Sequence, residues 1–534
     1  MPESTSMPEG PGRRQWLVLG VLIISLLAVV IDNTVLNVAL KTIADPRVGL
    51  GASQSQLEWA INSYTLVFAG LLFTFGVIGD RLGRKRVLIA GMVCFGLASL
   101  LSSYAQTPTE LIWARAAMGF GGAAVMPQTL AIITNVFSPS ERPKAIGMWA
   151  GAVGVAVAVG PVTGGLLLDH FWWGSVFLIN VPVTAIGVVA ILAVVPESHN
   201  PSAGRIDYLG VLLSTGGLVL LVYGIIGGGD AGSWWQANVI GPILGGLVVL
   251  AVFCWHESRV AYPALDVRLF RDPRLSAAAA AIMLNFFSMT GVFFFMGFYL
   301  QNVRGYSPLH AGLLTTPIAV GQLLSSNRSA PLARRLGTRI VAGTGLLVIT
   351  ATLVCYHFLG VATPVTLIAA IFLLQGLGMG IVMPTATESI MKVVPRERGG
   401  AGSALTNTSR QVAVALGVAV LGSILAQGYR SRLTPSLAGL PGSARAVATQ
   451  SIAATQAVAA HLGSSAGDRL TAAANQSFVS AMGVSALAAA GIAGLGAILI
   501  FAWLPGARAA AGAAGAAMGD SLAAEPALAG LAED

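Results

Sequence analysis

Charge is what this sequence has least of. Only 10% of its 534 residues are Asp, Glu, Lys or Arg, whereas a soluble domain carries about 25%. Hydrophobic residues make up 55%, and the mean hydropathy is +0.77. A water-soluble globule with one core is thereby excluded. Cysteine is scarce as well. Cys94, Cys254 and Cys355 stand singly inside apolar runs, with neither a disulfide framework nor metal-ligand spacing. The six histidines are scattered, so no metal site is expected. No glycine-rich loop ends in Gly-Lys-Ser/Thr, and Gly376-Leu377-Gly378-Met379-Gly380 falls mid-run, where packing explains it. The motifs therefore offer no means of using ATP, and no bound cofactor is expected. A membrane-embedded enzyme or sensor would need a convergent His, Ser or metal cluster or a large soluble domain, so the chain reads as a non-enzyme.

What the chain has is long apolar runs. Fourteen reach spanning length: 16–40, 59–79, 87–104, 111–137, 145–167, 175–195, 209–227, 239–255, 277–300, 311–332, 340–359, 365–390, 403–426 and 477–503. Each span needs ~20 apolar residues. Lipid cannot satisfy free backbone groups, and these runs are too continuous for barrel strands, so all are expected to be helices. Arg13 and Arg14 precede the first run as in a secretory signal, but the run is too long and Asp32 interrupts it. It reads as an uncleaved first span.

Positive charge then orients the spans. With the N-terminus cytoplasmic, the inner connections hold Arg81, Arg84, Lys85, Arg86, Arg142, Lys144, Arg205, Arg259, Arg268, Arg271, Arg274, Arg334, Arg335, Arg339, Lys392, Arg396 and Arg398. The outer ones hold Lys41, Arg47 and Arg304, plus arginines in one long loop. This is the positive-inside pattern, and fourteen spans keep it with both termini inside. The net charge of +8 is thus explained by topology, and a nucleic-acid partner is not expected.

An internal repeat appears at an offset of roughly 255 residues. Arg81-Leu82-Gly83 recurs as Arg335-Leu336-Gly337, Val125-Met126-Pro127 as Val382-Met383-Pro384, and Pro139-Ser140-Glu141-Arg142 as Pro395-Arg396-Glu397-Arg398. Gly119-Phe120-Gly121 is matched by Gly376-Leu377-Gly378. The expected organisation is a tail over 1–14, a six-helix bundle over 15–200 and two inserted helices with a linker over 201–274. A second six-helix bundle over 275–504 includes an outer loop at 429–476, and an Ala/Gly-rich tail covers 505–534. Paired bundles around a central site are a transporter architecture. The mismatches between copies are informative: Arg115 has Phe372 as its counterpart, Pro161 has Val418, and Asp80 has Arg334. Charge and proline confined to one copy point to function rather than to architecture.

Four stretches carry the chemistry. Gly76-Val77-Ile78-Gly79-Asp80-Arg81-Leu82-Gly83-Arg84-Lys85-Arg86 combines glycines that let helices approach with an acid able to accept hydrogen bonds. It resembles the cytoplasmic signature of the major facilitator superfamily. Gly160-Pro161-Val162-Thr163-Gly164-Gly165 removes a helix hydrogen bond and thins the helix. It is similar to the antiporter signature of that family's drug exporters, with Ala156 where a glycine is usual. Ile31-Asp32-Asn33-Thr34 and Arg115 with Gly119 and Gly121 resemble motifs of the fourteen-helix drug:proton antiporters, with Met118 in place of a glutamine. Phe177-Leu178-Ile179-Asn180-Val181-Pro182, Tyr299-Leu300-Gln301 and Arg410-Gln411 are further matches.

The resemblance implies an all-α polytopic protein of the major facilitator fold that exports amphipathic drugs, antibiotics or metabolites in exchange for protons. It implies a lipid bilayer and a small organic substrate as partners, with a monomer as the working unit in the cell membrane. Asp32 and Arg115 are the expected proton-coupling pair. Asp32 reads as the only acid deep in the first bundle, and at ~1.5 Å per residue both side chains fall within reach of one cavity. Charges within spans cost several kcal/mol and mark pathways. Gly76, Gly79, Asp80, Arg81, Gly83, Arg84 and Lys85 are expected to latch the inner gate, and Gly160, Pro161, Gly164 and Gly165 to shape the antiporter bend. Expected cavity residues are Asn33, Asn37, Trp59, Tyr64, Met118, Phe286, Phe287, Phe294, Tyr299 and Gln322, since aromatic and Met surfaces accept varied apolar ligands. The alternative within transport is a proton-coupled importer or uniporter of a small nutrient, against which the proline-glycine motif and the sparse polar lining weigh.

Overall fold

Each long apolar run becomes a helix, and polar residues at the run ends fix where it starts. The computed structural model describes residues 13–138, 140–199, 206–231, 233–260, 263, 265–393 and 399–503. Arg205, Arg396, Arg398 and both terminal tails lie outside the described residues. Among those described, the long helices are α1 (Arg13–Ala44), α2 (Gln54–Leu82), α3 (Arg84–Ser103), α4 (Pro108–Val136), α5 (Arg142–His170), α6 (Ser175–Val194) and α7 (Tyr208–Ala231). The series continues with α8 (Ala237–Glu257), α9 (Pro273–Phe298), α10 (Pro308–Leu336), α11 (Thr338–His357), α12 (Val365–Val393), α13 (Gly399–Leu433) and α14 (Ser464–Trp503). Eleven are long and apolar enough to cross a membrane, or twelve if the bent α2 counts as one span.

Side-chain caps set several starts. Ser53 and Gln56 cap α2 reciprocally: the Gln56 amide N–H donates to Ser53 Oγ and the Ser53 N–H to Gln56 Oε1 at 2.9 Å. Thr107, Asp272 and Ser307 cap α4, α9 and α10, each with a proline in the first turn. The Ser53 cap starts α2 five residues before its apolar run, which places Glu58 inside the helix.

The repeat is visible in the packing. The α2–α3 break turns at Gly83 (φ +111°) and the α10–α11 break at Gly337 (φ +88°), a region open mainly to glycine. A Cβ on Gly119 would press on the Tyr64 carbonyl, and one on Gly376 on the Ile318 carbonyl. Gly91 and Gly121 bring α3 and α4 together as Gly345 and Gly378 do α11 and α12. The inserted pair α7–α8 packs on itself and against α2 and α13.

We call the end with the 81–86 loop the basic face and the other the far face. The halves meet through α2 with α13, α5 with α10 and α1 with α9. A Cβ on Gly165 would lie 2.5 Å from Leu309 Cα. Gln301 Nε2 donates to the Val38 carbonyl at 2.9 Å, Lys41 Nζ to the Gln301 carbonyl at 2.7 Å, and Ser307 Oγ to Asp169 at 3.1 Å. These ties all lie toward the far face. Helix α13 continues to Leu433 and α14 begins at Ser464, so the segment between the last two long helices is shorter than the 429–476 loop. Between them, helices Gly442–Ala448 and Ile452–Ala460 bury Ile452, Ala454 and Ala457. Gln450 accepts from the Gln54 N–H at 3.2 Å, and Gln456 exchanges hydrogen bonds with Asn302. The loop thus forms a cap that touches both halves.

Candidate functional site

A lone charge inside a span must be neutralised or solvated. The fold brings Asp32 of α1 and Arg115 of α4 into direct contact: Arg115 Nη1 donates to Asp32 Oδ2, with the two residues 1% and 2% exposed. Asn180 Nδ2, at the start of the main α6 segment, donates to Asp32 Oδ1 at 3.1 Å and to Ser99 Oγ at 3.1 Å. Ser99 in turn donates to the Phe177 carbonyl at 2.9 Å. Arg115 Nε donates to the Ala60 carbonyl at 3.2 Å, and its guanidinium carbon lies 4.5 Å from the Tyr64 ring centroid and 5.7 Å from that of Phe177. Four helices of one half therefore converge on one ion pair, with both carboxylate oxygens hydrogen-bonded.

Beside it, at the interface of the halves, lies a small cavity lined by Asn37, Val38, Pro161, Val292, Phe293, Met296, Gly297, Leu300, Gln301, Ala311, Thr315, Ile318 and Phe372. No charged side chain lines it. Only Asn37, Gln301 and Thr315 offer polar side-chain atoms, which suits an apolar body with few fixed hydrogen-bonding groups.

Several expected cavity residues lie elsewhere. On α9 the lining positions 292, 293, 296 and 297 follow the helical period, which turns Phe294 and Phe298 into the second half's core. Tyr299 is also buried, its hydroxyl donating to the Gly360 carbonyl at 2.8 Å. Trp59 packs on Tyr223 of α7. Tyr64 and Met118 line the ion pair, Phe287 packs against Gly417, and Phe286 lies under Arg410. Asn33 turns its amide onto the Val29 carbonyl at 3.0 Å, and Gln322 does not reach the cavity. Of the ten expected residues, Asn37 alone lines it.

The proline-glycine stretch works on two sides of α5. Gly160 and Gly164 admit Thr34 and Val35 of α1, while Pro161 and Gly165 face Gly312 and Leu309 of α10. In the basic-face motif, Asp80 accepts from Arg84 Nε at 2.8 Å, and Arg84 Nη1 reaches the Ala131 carbonyl at 3.2 Å. Lys85 Nζ donates to the Leu192 carbonyl at 2.9 Å, Arg86 pairs with Glu197, and Gly79 sits against the Gln128 amide. Arg81 is exposed, and Gly76 approaches Pro127. The expected acceptor role of Asp80 thus has an arginine of the next helix as its partner. Asp80 finds its partner four residues away, and the motif ties α2, α3, α4 and α6 within the first half.

Two features escaped the sequence. Asn180 stood in a recognised motif, but its contact with Asp32 depends on the α1–α6 packing. Glu58 is 1% exposed, so Asp32 is not the only buried acid of that half. The apolar run left Glu58 just outside, and the Ser53 cap was the available signal.

Two equivalent bundles closed at one face over an interfacial cavity define a membrane transporter of the alternating-access kind. Residues 22–418 match the Major Facilitator Superfamily profile. The chain is 34% identical to the multidrug efflux pump LfrA of Mycolicibacterium smegmatis over 92% of this chain and 95% of that one. It is 31% identical to the tetracenomycin C resistance and export protein of Streptomyces glaucescens, covering 77% and 76%. The crystal structure of a bacterial homolog to the human lysosomal transporter Spinster, inward-facing and unoccupied, superposes with a TM-score of 0.63 at 16% identity over 93% of this chain and 99% of that one. The chain belongs to the major facilitator superfamily, in its drug:proton antiporter branch.

Proposed function

We propose that this protein exports small amphipathic organic molecules in exchange for protons, with Asp32 as the proton carrier. The observation that carries this reading is the buried Asp32–Arg115 pair beside an apolar cavity between the halves. The basic face is cytoplasmic, following the positive-inside rule, so both termini are inside and the cap is outside. In this reading the ties between the halves at the far face are those of an inward-facing state. Substrate enters the cavity from the cytoplasm while Asp32 holds Arg115. Opening to the outside exposes Asp32 to protons, and a neutral Asp32 releases the guanidinium, which changes the α1–α4 contact and favours the return. The proton gradient is the only energy source and the monomer is the working unit, in the cell membrane.

The test is purified protein in vesicles with an imposed pH gradient, following substrate and proton together. Wild type accumulates substrate against its gradient. Asp32→Asn binds substrate but does not accumulate it, and Asp32→Glu retains part of the activity. Accumulation by Asp32→Asn at the wild-type rate places coupling elsewhere. Topology is checked separately, after replacing Cys94, Cys254 and Cys355, by a single cysteine in the cap or in the 505–534 tail. An impermeant reagent applied to whole cells labels the first and not the second.

A further inference from the structure

Two arginines lie inside the bundles, Arg115 on α4 of the first half and Arg410 on α13, which packs across the interface on α2, and their surroundings differ. Arg115 gives its charge to Asp32. Arg410 of α13 has no such partner: among the described residues no carboxylate pairs with it. Its guanidinium carbon lies 5.5 Å from the Phe286 ring centroid, and Nη2 lies 4.0 Å from Met126 Sδ. Tyr64 of α2 is close enough to act on it electrostatically. Guanidinium keeps its charge in a protein, so Arg410 is a cation without a carboxylate partner among the described residues. Met126 and Tyr64 belong to the first half and Phe286 to the second, which puts Arg410 at the interface where substrate passes.

A second observation lies on α9. Asn285, which precedes Phe286, is 1% exposed with neither amide atom hydrogen-bonded, and Ser288 is fully buried with its hydroxyl unpartnered. Unmade buried hydrogen bonds cost about 1–3 kcal/mol each. Both residues fall on the helical stripe that continues to Val292 and Met296 of the cavity wall. Phe286 and Val292 are separated by about 9 Å along the axis at ~1.5 Å per residue. A ligand of that length reaches from the apolar cavity to the guanidinium.

We propose that Arg410 is the anion subsite of the transport pathway, and that the favoured substrates are amphipathic organic anions: an aromatic or aliphatic body bearing a carboxylate, sulfonate or phenolate. The apolar body sits among Val292, Phe293, Met296, Ile318 and Phe372, and the anionic group takes the Arg410 donors. A charge-assisted, bidentate geometry is what guanidinium offers a carboxylate. A cationic substrate meets Arg410 as a like charge and finds no acid in the cavity lining. This inference rests on the export reading for the pathway but makes its own claim about charge.

The experiment uses the full chain with three matched probes: 1-naphthaleneacetate, 1-naphthaleneacetamide and 1-naphthylmethylammonium. Affinities come from quenching of intrinsic tryptophan fluorescence in detergent. Wild type is expected to bind the carboxylate at least about tenfold more tightly than the amide, the size of one charged hydrogen bond, and the ammonium most weakly. Arg410→Gln brings carboxylate and amide level, and Arg410→Lys keeps part of the preference. Since Arg410→Gln removes a partly buried charge that no described carboxylate pairs, its melting temperature is not below that of wild type. Equal or better wild-type binding of the amide or ammonium, binding of none of the three, or a carboxylate preference that survives in Arg410→Gln overturns the proposal. The two readings separate in vesicles. Gradient-driven movement of the amide or ammonium but not the carboxylate sinks the anion subsite and leaves export standing. Selective carboxylate binding without gradient-driven movement of any probe does the reverse.

Discussion

The two six-helix halves share a backbone plan and differ in what they place on it. In the first, Gly119 lets α4 close on the Tyr64 carbonyl, and one turn away Arg115 meets the Tyr64 ring and Asp32, which Asn180 also holds. In the second, Gly376 lets α12 close on the Ile318 carbonyl, and the residue one turn away is Phe372. Ile318 and Phe372 line the cavity. The same crossing therefore holds an ion pair in one half and an apolar wall in the other. The fold requires neither the charge nor the aromatic ring, only the glycine. A buried ion pair is at best neutral for stability beside well-packed apolar residues, so its presence in one half is a functional asymmetry.

That comparison can be broken most forcefully at the pair. Arg115→Met leaves Asp32 buried without its cation, and such half-broken pairs cost about 3–5 kcal/mol. Expected outcomes are a lower melting temperature and no gradient-driven efflux. Arg115→Phe with Asp32→Ser removes both charges and puts the second half's ring on α4, so the melting temperature should return toward wild type while efflux stays lost. Recovery of pumping in the double variant would remove the coupling role from the pair.

The converse change is Phe372→Arg, which puts a cation in the second half without an acid to receive it. Neutralising contacts are absent from the cavity wall, and burial of an unpaired charge costs several kcal/mol. Reduced yield and a lower melting temperature are expected, measured by size-exclusion chromatography and thermal melting in detergent.

A smaller effect is expected where the halves touch. Gly165→Leu pushes a side chain at Leu309 of α10, and overpacking costs about 1–3 kcal/mol. The far face should then resist closing, which shifts a two-state equilibrium up to about a hundredfold. An impermeant thiol reagent should reach a cysteine at Asn37 faster in this variant than in wild type. Unchanged labelling would mean that the α5–α10 seam is not what shuts the far face.

The smallest effect belongs to the basic-face motif. Asp80 is paired with Arg84 but partly solvated, with its side chain 30% exposed, so Asp80→Asn should cost about 1 kcal/mol or less. A folded protein with turnover lowered a few-fold is expected, read as initial efflux rates at constant expression. Loss of insertion instead would make the motif a topology element alone.

The sequence by itself determined most of the scaffold, because its signals are local or periodic. Apolar run length gives the helices, Ser53, Thr107, Asp272 and Ser307 mark their starts, and the repeated Arg-Leu-Gly marks equivalent breaks at Gly83 and Gly337. Asp32 and Arg115 were legible as a pair because each is a costly charge in an apolar run. Tertiary structure alone decided which neighbours complete them. Asn180 lies 148 positions from Asp32 in the chain, and no local pattern encodes that distance. The cavity wall was also a tertiary matter, since the rotation of α9 about its axis separates Phe293 and Met296 from Phe294 and Tyr299. In a span apolar on every side, composition cannot tell a face that meets substrate from one that meets another helix. Only the packing of the two halves assigns them.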